Sequence, residues 1–521
     1  MRGAVAAGHP LTAQAGAEIL ADGGNAVDAC IAAAFVSWVA ESPLTGPGAG
    51  GFMLVHRASD HTDRLLDFFV AIPGRDLPRG ERDEMKAVDV EFEAGIAQAF
   101  LIGAASCAVP GAVAGLGAAH AAYARIPWAD LIAPAARLAR EGIEVNDQQG
   151  FLHRILDPVL RAELEGKRIY GNKRQLVPGE CLRMPDLADT LDRLAAEGPE
   201  GFYRGDLARD ISAAVEERGG SLTTADLDGY RVIRRRPVRA SYRDWEFVSN
   251  PPPSAGGLLI AYALSVLDRL GETGGAGSAQ AIAALAEVMR EAQLARGQGF
   301  LSGLSRGGLP RRLLADENVA AAARRARERV RMFASEPAGL PSTTHISVVD
   351  ARGNAASLSA STGCGSGVIV PGTGIHVNNM LGEEDLNPAG REGSPGARLT
   401  SMMAPSLVLE GTRPRLVLGS AGSIRLRAAI LQIIVNVLDH GLSVPEAIEA
   451  PRVHLEGSAL QLEGGIDSRV AERLESEGYE VVRWNGRNLY FGGASVVGLG
   501  GDGELEAAGD PRRGGAGAVV Q

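Results

Sequence analysis

The rhythm of hydrophobic and polar positions changes once along this chain, near residue 343. Before it, helix-period segments dominate. Leu11 to Leu20 repeats its apolar residues at helical spacing and is stopped by Gly23-Gly24. Ala26 to Ala40 is largely apolar and predicts a central helix. Ala112–Ala124 and Ile132–Arg140 follow as helices, and 150–245 reads as mainly helical with polar connections. Further helices are expected from Leu258, over Ser278–Arg296 and over Arg311–Val330, the last two separated by a Gly-rich loop, Gly297–Gly308. The early strands are few: Ala4–Ala7, Phe52–Val55, Leu65–Val70 and two within 232–249.

After Thr343 strand patterns take over: Thr344–Val349, Ala355–Ser359, Gly374–Val377, Ser406–Glu410 and Arg415–Gly419. Helices are predicted at Arg425–Leu438, Pro445–Ala450 and Val470–Glu477, and strands return at Tyr479–Arg483, Gly492–Leu499 and Gly503–Ala508. Thr343-Thr344-His345-Ile346-Ser347-Val348-Val349 alternates, Asp350 to Asn354 supplies turn residues, and Ala355 to Ser361 is the return strand of a hairpin. By pattern alone it is an edge hairpin. The run Ala334–Ser342 before it is loop-like and of the kind that is readily cleaved.

Size and composition narrow the class. A chain of 521 residues exceeds one ordinary core. The net charge of −11 argues against a nucleic-acid surface. Cys30, Cys107, Cys181 and Cys364 are far apart, so neither a disulfide framework nor a zinc site is expected, and the nine His residues show no metal-ligand spacing. No cofactor is predicted. Asp28 and Glu41 bound an apolar run too short to span a bilayer. The segment Met1–Pro10 has no long apolar stretch, which predicts a cytoplasmic location, or a periplasmic or extracellular one if the start lies upstream. Gly46 to Gly51 lacks the Gly-Lys-Ser/Thr ending of a phosphate loop.

Thr343-Thr344-His345-Ile346-Ser347-Val348-Val349-Asp350-Ala351-Arg352-Gly353-Asn354 resembles the processing site of the gamma-glutamyltranspeptidase family, which are N-terminal nucleophile hydrolases. Gly24–Ala29, Val109-Pro110-Gly111 and Gly201–Gly205 resemble other landmarks of that family, so the resemblance runs nearly the whole chain and is weakest from about 150 to 330. It implies an α+β fold, the four-layer αββα sandwich. It also implies self-cleavage between Ser342 and Thr343 into a helix-rich fragment 1–342, which adds strands and pocket wall, and a fragment 343–521. The chemistry is coherent. A Thr hydroxyl is a weak nucleophile, and cleavage before Thr343 frees an α-amine, reference pKa about 7.7 to 8.0, that can take its proton.

The resemblance also distributes roles. Thr343 is the nucleophile, and Thr344 orients its amine or hydroxyl. His345 is read as a structural or autoprocessing residue. Ser361, eighteen residues on, stands where the family has a Thr bonded to the nucleophile. Gly363 replaces a substrate-contacting Asn. In Asn378-Asn379-Met380-Leu381-Gly382-Glu383-Glu384-Asp385, Met380 replaces Gln or Glu, and Glu383 stands for the Asp that binds the substrate ammonium. Asn379 belongs to the same substrate-binding run. Thr400-Ser401-Met402 matches the hydroxyl pair that grips an α-carboxylate, and Gly422 and Ser423 supply oxyanion-hole N–H groups. Phe69 stands where the family carries the Arg that pairs with the glutamyl carboxylate, which an aromatic ring cannot do; Arg64 and Arg75 are the nearest replacements in sequence.

The expected activity is therefore cleavage of gamma-glutamyl amides such as glutathione through a Thr acyl-enzyme, with transfer to water or an amine. A related acyl-amide hydrolase without gamma-glutamyl selectivity, and an uncleaved inactive relative used as a binding protein, remain as alternatives. Expected partners are the chain's own two fragments, with a dimer of that pair open, and a small-molecule substrate; neither nucleic acid nor membrane is expected.

Overall fold

Two antiparallel sheets face one another, and the alternation of their strands sorts side chains into three cores. The computed structural model describes residues 2–77, 83–91, 97–297, 299–329, 343–383, 393–500 and 503–521. The first sheet runs, in spatial order, Ala516–Val520, Gly3–Ala7, Thr344–Asp350, Ala355–Ser361, Gly50–Arg57, Thr62–Phe68 and Ile233–Arg235. The second runs Leu505–Gly509, Gly493–Leu499, Arg413–Ala421, Ser406–Glu410, Trp245–Ser249 and Val238–Tyr242.

Ile346, Val348, Leu358, Met53 and Leu66 pack against the helices Ala26–Ala40, Ala112–Tyr123 and Trp128–Glu141. Their strand neighbours Val349, Ala355, Phe52, Leu54 and Leu65 face the other way and meet Leu407, Leu409, Val417 and Val497 of the second sheet. The far side of that sheet is covered by Gly256–Leu270, Ala279–Leu294 and Leu426–Leu438. The order is helix, sheet, sheet, helix, which is the expected αββα sandwich. Residues on each side of position 343 contribute strands to both sheets. Among the described residues no helix is long and apolar enough to cross a membrane.

The helix Ala26–Ala40 has the predicted bounds, and all its residues are buried. Asn25 and Asp28 close a capping box at its start. The remaining Asp28 oxygen accepts the N–H groups of Arg125 and Ile126 at 2.8 and 3.1 Å. The predicted hairpin forms, but it is central: Thr344–Asp350 pairs with Gly3–Ala7 and Ala355–Ser361 with Gly50–Arg57. Its turn is locked by Asp350. One carboxylate oxygen accepts from the N–H of Arg352 at 2.8 Å and of Asn354 at 3.1 Å. The other accepts from Asn354 Nδ2 at 2.8 Å and from the Ala26 N–H at 3.1 Å.

Three expectations are corrected. The two strands read in 232–249 are three, and Ile233–Arg235 belongs to the first sheet while Val238–Tyr242 and Trp245–Ser249 belong to the second. Pro237 sits at this crossover, where a missing N–H suits a break in pairing. The supposed loop Gly297–Gly308 contains the helix Phe300–Arg306, whose Phe300 and Leu304 reach the core. The final strand, Ala516–Val520, was not expected; it completes the first sheet beside Gly3–Ala7.

Asp350 ties the hairpin turn to the start of the central helix, so Asp350→Ala leaves buried donors unpaired at a cost of about 1–3 kcal/mol each. Urea unfolding of Asp350→Ala is expected to show a loss of roughly 2–4 kcal/mol, and a loss no larger than that of a surface substitution would contradict this clamp.

Candidate active site

Thr343 immediately precedes the strand Thr344–Asp350 and is 6% exposed. The register that pairs Thr344 with Ala360 carries Thr343 opposite Ser361. Both line a narrow cleft together with Gly363, Met380, Glu383, Ser401, Met402, Met403, Ser423 and Leu426. Five of the predicted residues, Thr343, Ser361, Glu383, Ser401 and Ser423, are thus brought together.

The opposite wall comes from the second sheet. The strand Arg413–Ala421 ends, Gly422 takes φ 136° and Ser423 φ 45°, and the helix Leu426–Leu438 begins after one tight turn. Ser423 is a non-glycine residue in the left-handed region, a local strain held by the surrounding packing. The turn leads into the first turn of that helix, whose N–H groups have no partner within the helix.

Glu383 is 6% exposed and follows a run anchored by Asn378. Asn378 Nδ2 donates to the carbonyls of Gly48 and Ala108 at 2.8 and 3.0 Å, and its Oδ1 accepts from the N–H of Ala108 and Met380 at 3.1 and 3.2 Å. Asn379 is fully buried beside the cleft, with Nδ2 on the Leu101 carbonyl at 3.2 Å. Gly363 has φ 68°, and a Cβ there would lie 2.0 Å from Asn379 Oδ1 and 2.8 Å from Glu383 Oε1. The glycine in place of the family's Asn is therefore a packing requirement here. The segment 250–257 grips the next wall: Ser254 Oγ donates to the carbonyls of Ser401 and Met403 at 3.0 and 2.9 Å, and Asn250 Nδ2 to that of Met403 at 2.7 Å.

Other predicted residues lie elsewhere. Thr344 faces the helix layer, where its hydroxyl donates to Glu41, so its side chain does not reach the cleft, because neighbours in a strand point to opposite faces. Phe69 stacks on Phe52 at 5.4 Å and packs with Met380 and Met403 behind the cleft wall rather than lining it. Thr400 is half-buried and also outside the lining. Neither Arg64, which is exposed, nor Arg75, whose guanidinium lies 4.0 Å from Asp226, lines the cleft. Ser342, the run Ala334–Ser342, Glu384 and Asp385 lie outside the described residues. Burial pushes the Cys364 thiol well above its ordinary range, with Glu383 adding to the shift, which agrees with an unreactive role.

His345 sits between the sheets. Its Nδ1 meets Ser359 Oγ at 2.8 Å and its Nε2 meets Ser347 Oγ at 3.0 Å. Burial pushes its pKa down to about 3, so it is a neutral, structural imidazole. Sequence reasoning missed Met403 and Leu426 as cleft walls. It also missed Glu41, which it read only as the polar border of an apolar run. The sole signal was a carboxylate at the end of a largely apolar helix.

The family model for gamma-glutamyltranspeptidase matches residues 12–520. The chain is 36% identical over 535 residues, covering 97% of itself and 91% of the relative, to an acylase ACY 1 proenzyme of Pseudomonas sp. (strain SE83). It is 31% identical over 543 residues, covering 98% of itself and 90% of the relative, to the glutathione hydrolase proenzyme of Escherichia coli (strain K12). Among solved structures it is similar to a cephalosporin acylase from Bacillus halodurans, with a TM-score of 0.85 and 27% identity over 100% of this chain and 96% of that one.

If the turn at 422–423 acts through its backbone, Ser423→Gly should keep kcat/KM within about threefold, since donor N–H groups survive the change. The same substitution should raise the unfolding free energy by up to about 1 kcal/mol through relief of the left-handed conformation. A tenfold or larger fall in activity of the folded variant would show instead that the hydroxyl is used.

Proposed function

The chain belongs to the gamma-glutamyltranspeptidase family, the enzymes of which are N-terminal nucleophile hydrolases, and we propose that it is an autoprocessed threonine amidohydrolase. The observation that carries this reading is the placement of Thr343 at the head of a buried strand, in one cleft with Ser361, Glu383 and the turn at Ser423. In this account the chain is cut before Thr343. Thr343 Oγ attacks an amide carbonyl while the freed α-amine takes its proton. The N–H groups of Gly422 and Ser423 hold the oxyanion, the same amine returns the proton to the leaving nitrogen, and water or an amine resolves the acyl-enzyme. Ser361 steadies the nucleophile. The working form is the pair of fragments 1–342 and 343–521.

The donor class follows from the cleft. Glu383 keeps an acid for a substrate ammonium, in line with gamma-glutamyl amides such as glutathione as donors. A second reading is favoured by the walls: among the described residues no Arg or Lys lines the cleft, and Met380, Met402, Met403 and Leu426 do. That composition suits an acyl group whose grip does not depend on an α-carboxylate, and so a related acyl-amide hydrolase.

A denaturing gel of the purified protein should show two bands, near one third and two thirds of 54.2 kDa, the smaller beginning Thr-Thr-His-Ile. Thr343→Ala should give one intact band and no amide cleavage; active wild-type protein that stays intact would refute the mechanism.

A donor panel, read as free amine released, separates the two substrate readings. Gamma-glutamyl amides are compared with matched acyl amides lacking the α-carboxylate. With no cation on the cleft wall among the described residues, removing the carboxylate should change kcat/KM less than tenfold, whereas a site with a carboxylate-binding Arg would lose the roughly ten- to hundredfold that a charge-assisted bond of about 1.5–3 kcal/mol supports. A steep gamma-glutamyl preference would reject the broader acylase reading.

A further inference from the structure

On the helix side of the nucleophile's strand lies a carboxyl group that the chemistry above does not use. Glu41 follows the helix Ala26–Ala40 and is 5% exposed. Its main chain is fixed, since its carbonyl accepts the N–H groups of Leu44 and Thr45 at 2.8 and 3.2 Å. Thr12, from the helix Pro10–Ala21, donates to one carboxylate oxygen at 2.8 Å, and Thr344 donates to the other. Gly8 closes over the pair: a Cβ there would lie 2.3 Å from Glu41 Oε2 and 3.3 Å from Thr344 Oγ1. Gly8, Thr12 and Glu41 lie upstream of the proposed cut, and Thr344 is the second residue downstream of it.

We propose that Glu41 is a positioning residue for the Thr343 nucleophile, holding the Thr344 hydroxyl and so fixing the end of the downstream fragment once the chain is cut. The inference rests on the assignment of Thr343 made above. A cut before Thr343 leaves that residue with one covalent neighbour, and strand pairing starts only at Thr344. New termini fray unless tied down, and a misplacement of about 1 Å in a reacting group costs on the order of a hundredfold in rate. Thr344 is the first paired residue, and the pleat delivers its side chain to Glu41 rather than to the cleft. The anchor therefore holds the nucleophile without obstructing the substrate.

The anchor is also pH-sensitive. Burial pushes the Glu41 carboxyl up to about 7; the hydroxyls of Thr344 and Thr12 and the charge of Arg513, from the turn Pro511–Arg513, oppose this. The carboxylate accepts from both threonines. The acid carries a proton of its own to donate, so one of these contacts has to reverse and the charge that strengthened both is lost. Tight anchoring is thus present above the folded pKa and lost as pH falls through it. The α-amine base must also be unprotonated, so two groups shape the acid limb of the rate.

The test compares cleaved wild-type enzyme with Glu41→Gln, Thr344→Val and Thr344→Ser, measuring kcat and KM separately across pH 5–9. Glu41→Gln and Thr344→Val should lose roughly ten- to hundredfold in kcat, with KM changed less than twofold. Thr344→Ser should stay near wild type. In Glu41→Gln the acid limb of log kcat should fall from a slope approaching two to a slope of one. A merely structural role would lower the melting temperature without moving that slope. If Glu41→Gln does not fold, Thr344→Val decides. A cut, active wild type with unaffected kcat in Thr344→Val and in any folded Glu41→Gln overturns this inference alone. A wild type that is uncut and inactive overturns the proposed function and this inference together.

Discussion

A strand shows alternate residues to opposite faces, and this period of two sets what each residue around position 343 is able to do. Thr343 turns into the cleft, Thr344 into the helix layer, and His345 into the gap between the sheets. The strand is paired on both sides, with Gly3–Ala7 and Ala355–Ser361, so its faces cannot exchange. A slip of one residue would send Thr344 into the cleft and place Ile346 and Val348 among polar groups. The two apolar residues that pack the helix layer are therefore what keeps the proposed nucleophile aimed.

The gap behind the nucleophile is polar, yet it is satisfied. Besides its bonds to Ser359 and Ser347, His345 has Ser357 Oγ at 3.3 Å. Ser347 and Ser357 pass their protons on to the carbonyls of Ser495 and Leu418 in the second sheet, at 3.0 and 3.2 Å. Gly419 leaves the room: a Cβ there would sit 2.3 Å from the His345 ring. A buried network of this kind is costly unless each member finds a partner, and once satisfied it holds its elements in one arrangement. It also removes His345 from proton transfer, because its pKa is far below neutrality. Within this seam the α-amine of Thr343 is left as the base that the proposed chemistry needs.

How far the sequence could be read depended on whether a signal was local. The helix Ala26–Ala40 announced itself through its largely apolar composition, and the hairpin through alternation on both sides of Asp350. The parity that separates Thr343 from Thr344 was also readable. Long-range facts were not. Nothing near Pro237 says that the chain leaves one sheet for the other, and nothing near Val520 says that it pairs with Gly3. Phe69 was read as a cleft residue because it replaces a family Arg, but an aromatic side chain gains more by stacking on Phe52 in the inter-sheet core. Glu41 was invisible for the same reason: its partner is 303 positions away.

That displacement of Phe69 bears on what the cleft can hold. Removing a cation from a carboxylate site does more than delete one bond, because Glu383 remains at the wall. A substrate carboxylate close to an acid of like charge meets a repulsion of roughly 1 kcal/mol once solvent in the open cleft screens the pair. An ammonium at the same place gains a similar amount, and an uncharged acyl chain is indifferent to the charge while it gains contact with Met380, Met402 and Met403. In the proposed reading that charge would favour cationic over neutral and neutral over anionic donors by such small amounts. A zwitterionic gamma-glutamyl group falls between the ends of that scale, gaining at its ammonium and losing at its carboxylate. Its standing against simple acyl amides is then decided by how far from Glu383 the carboxylate is carried.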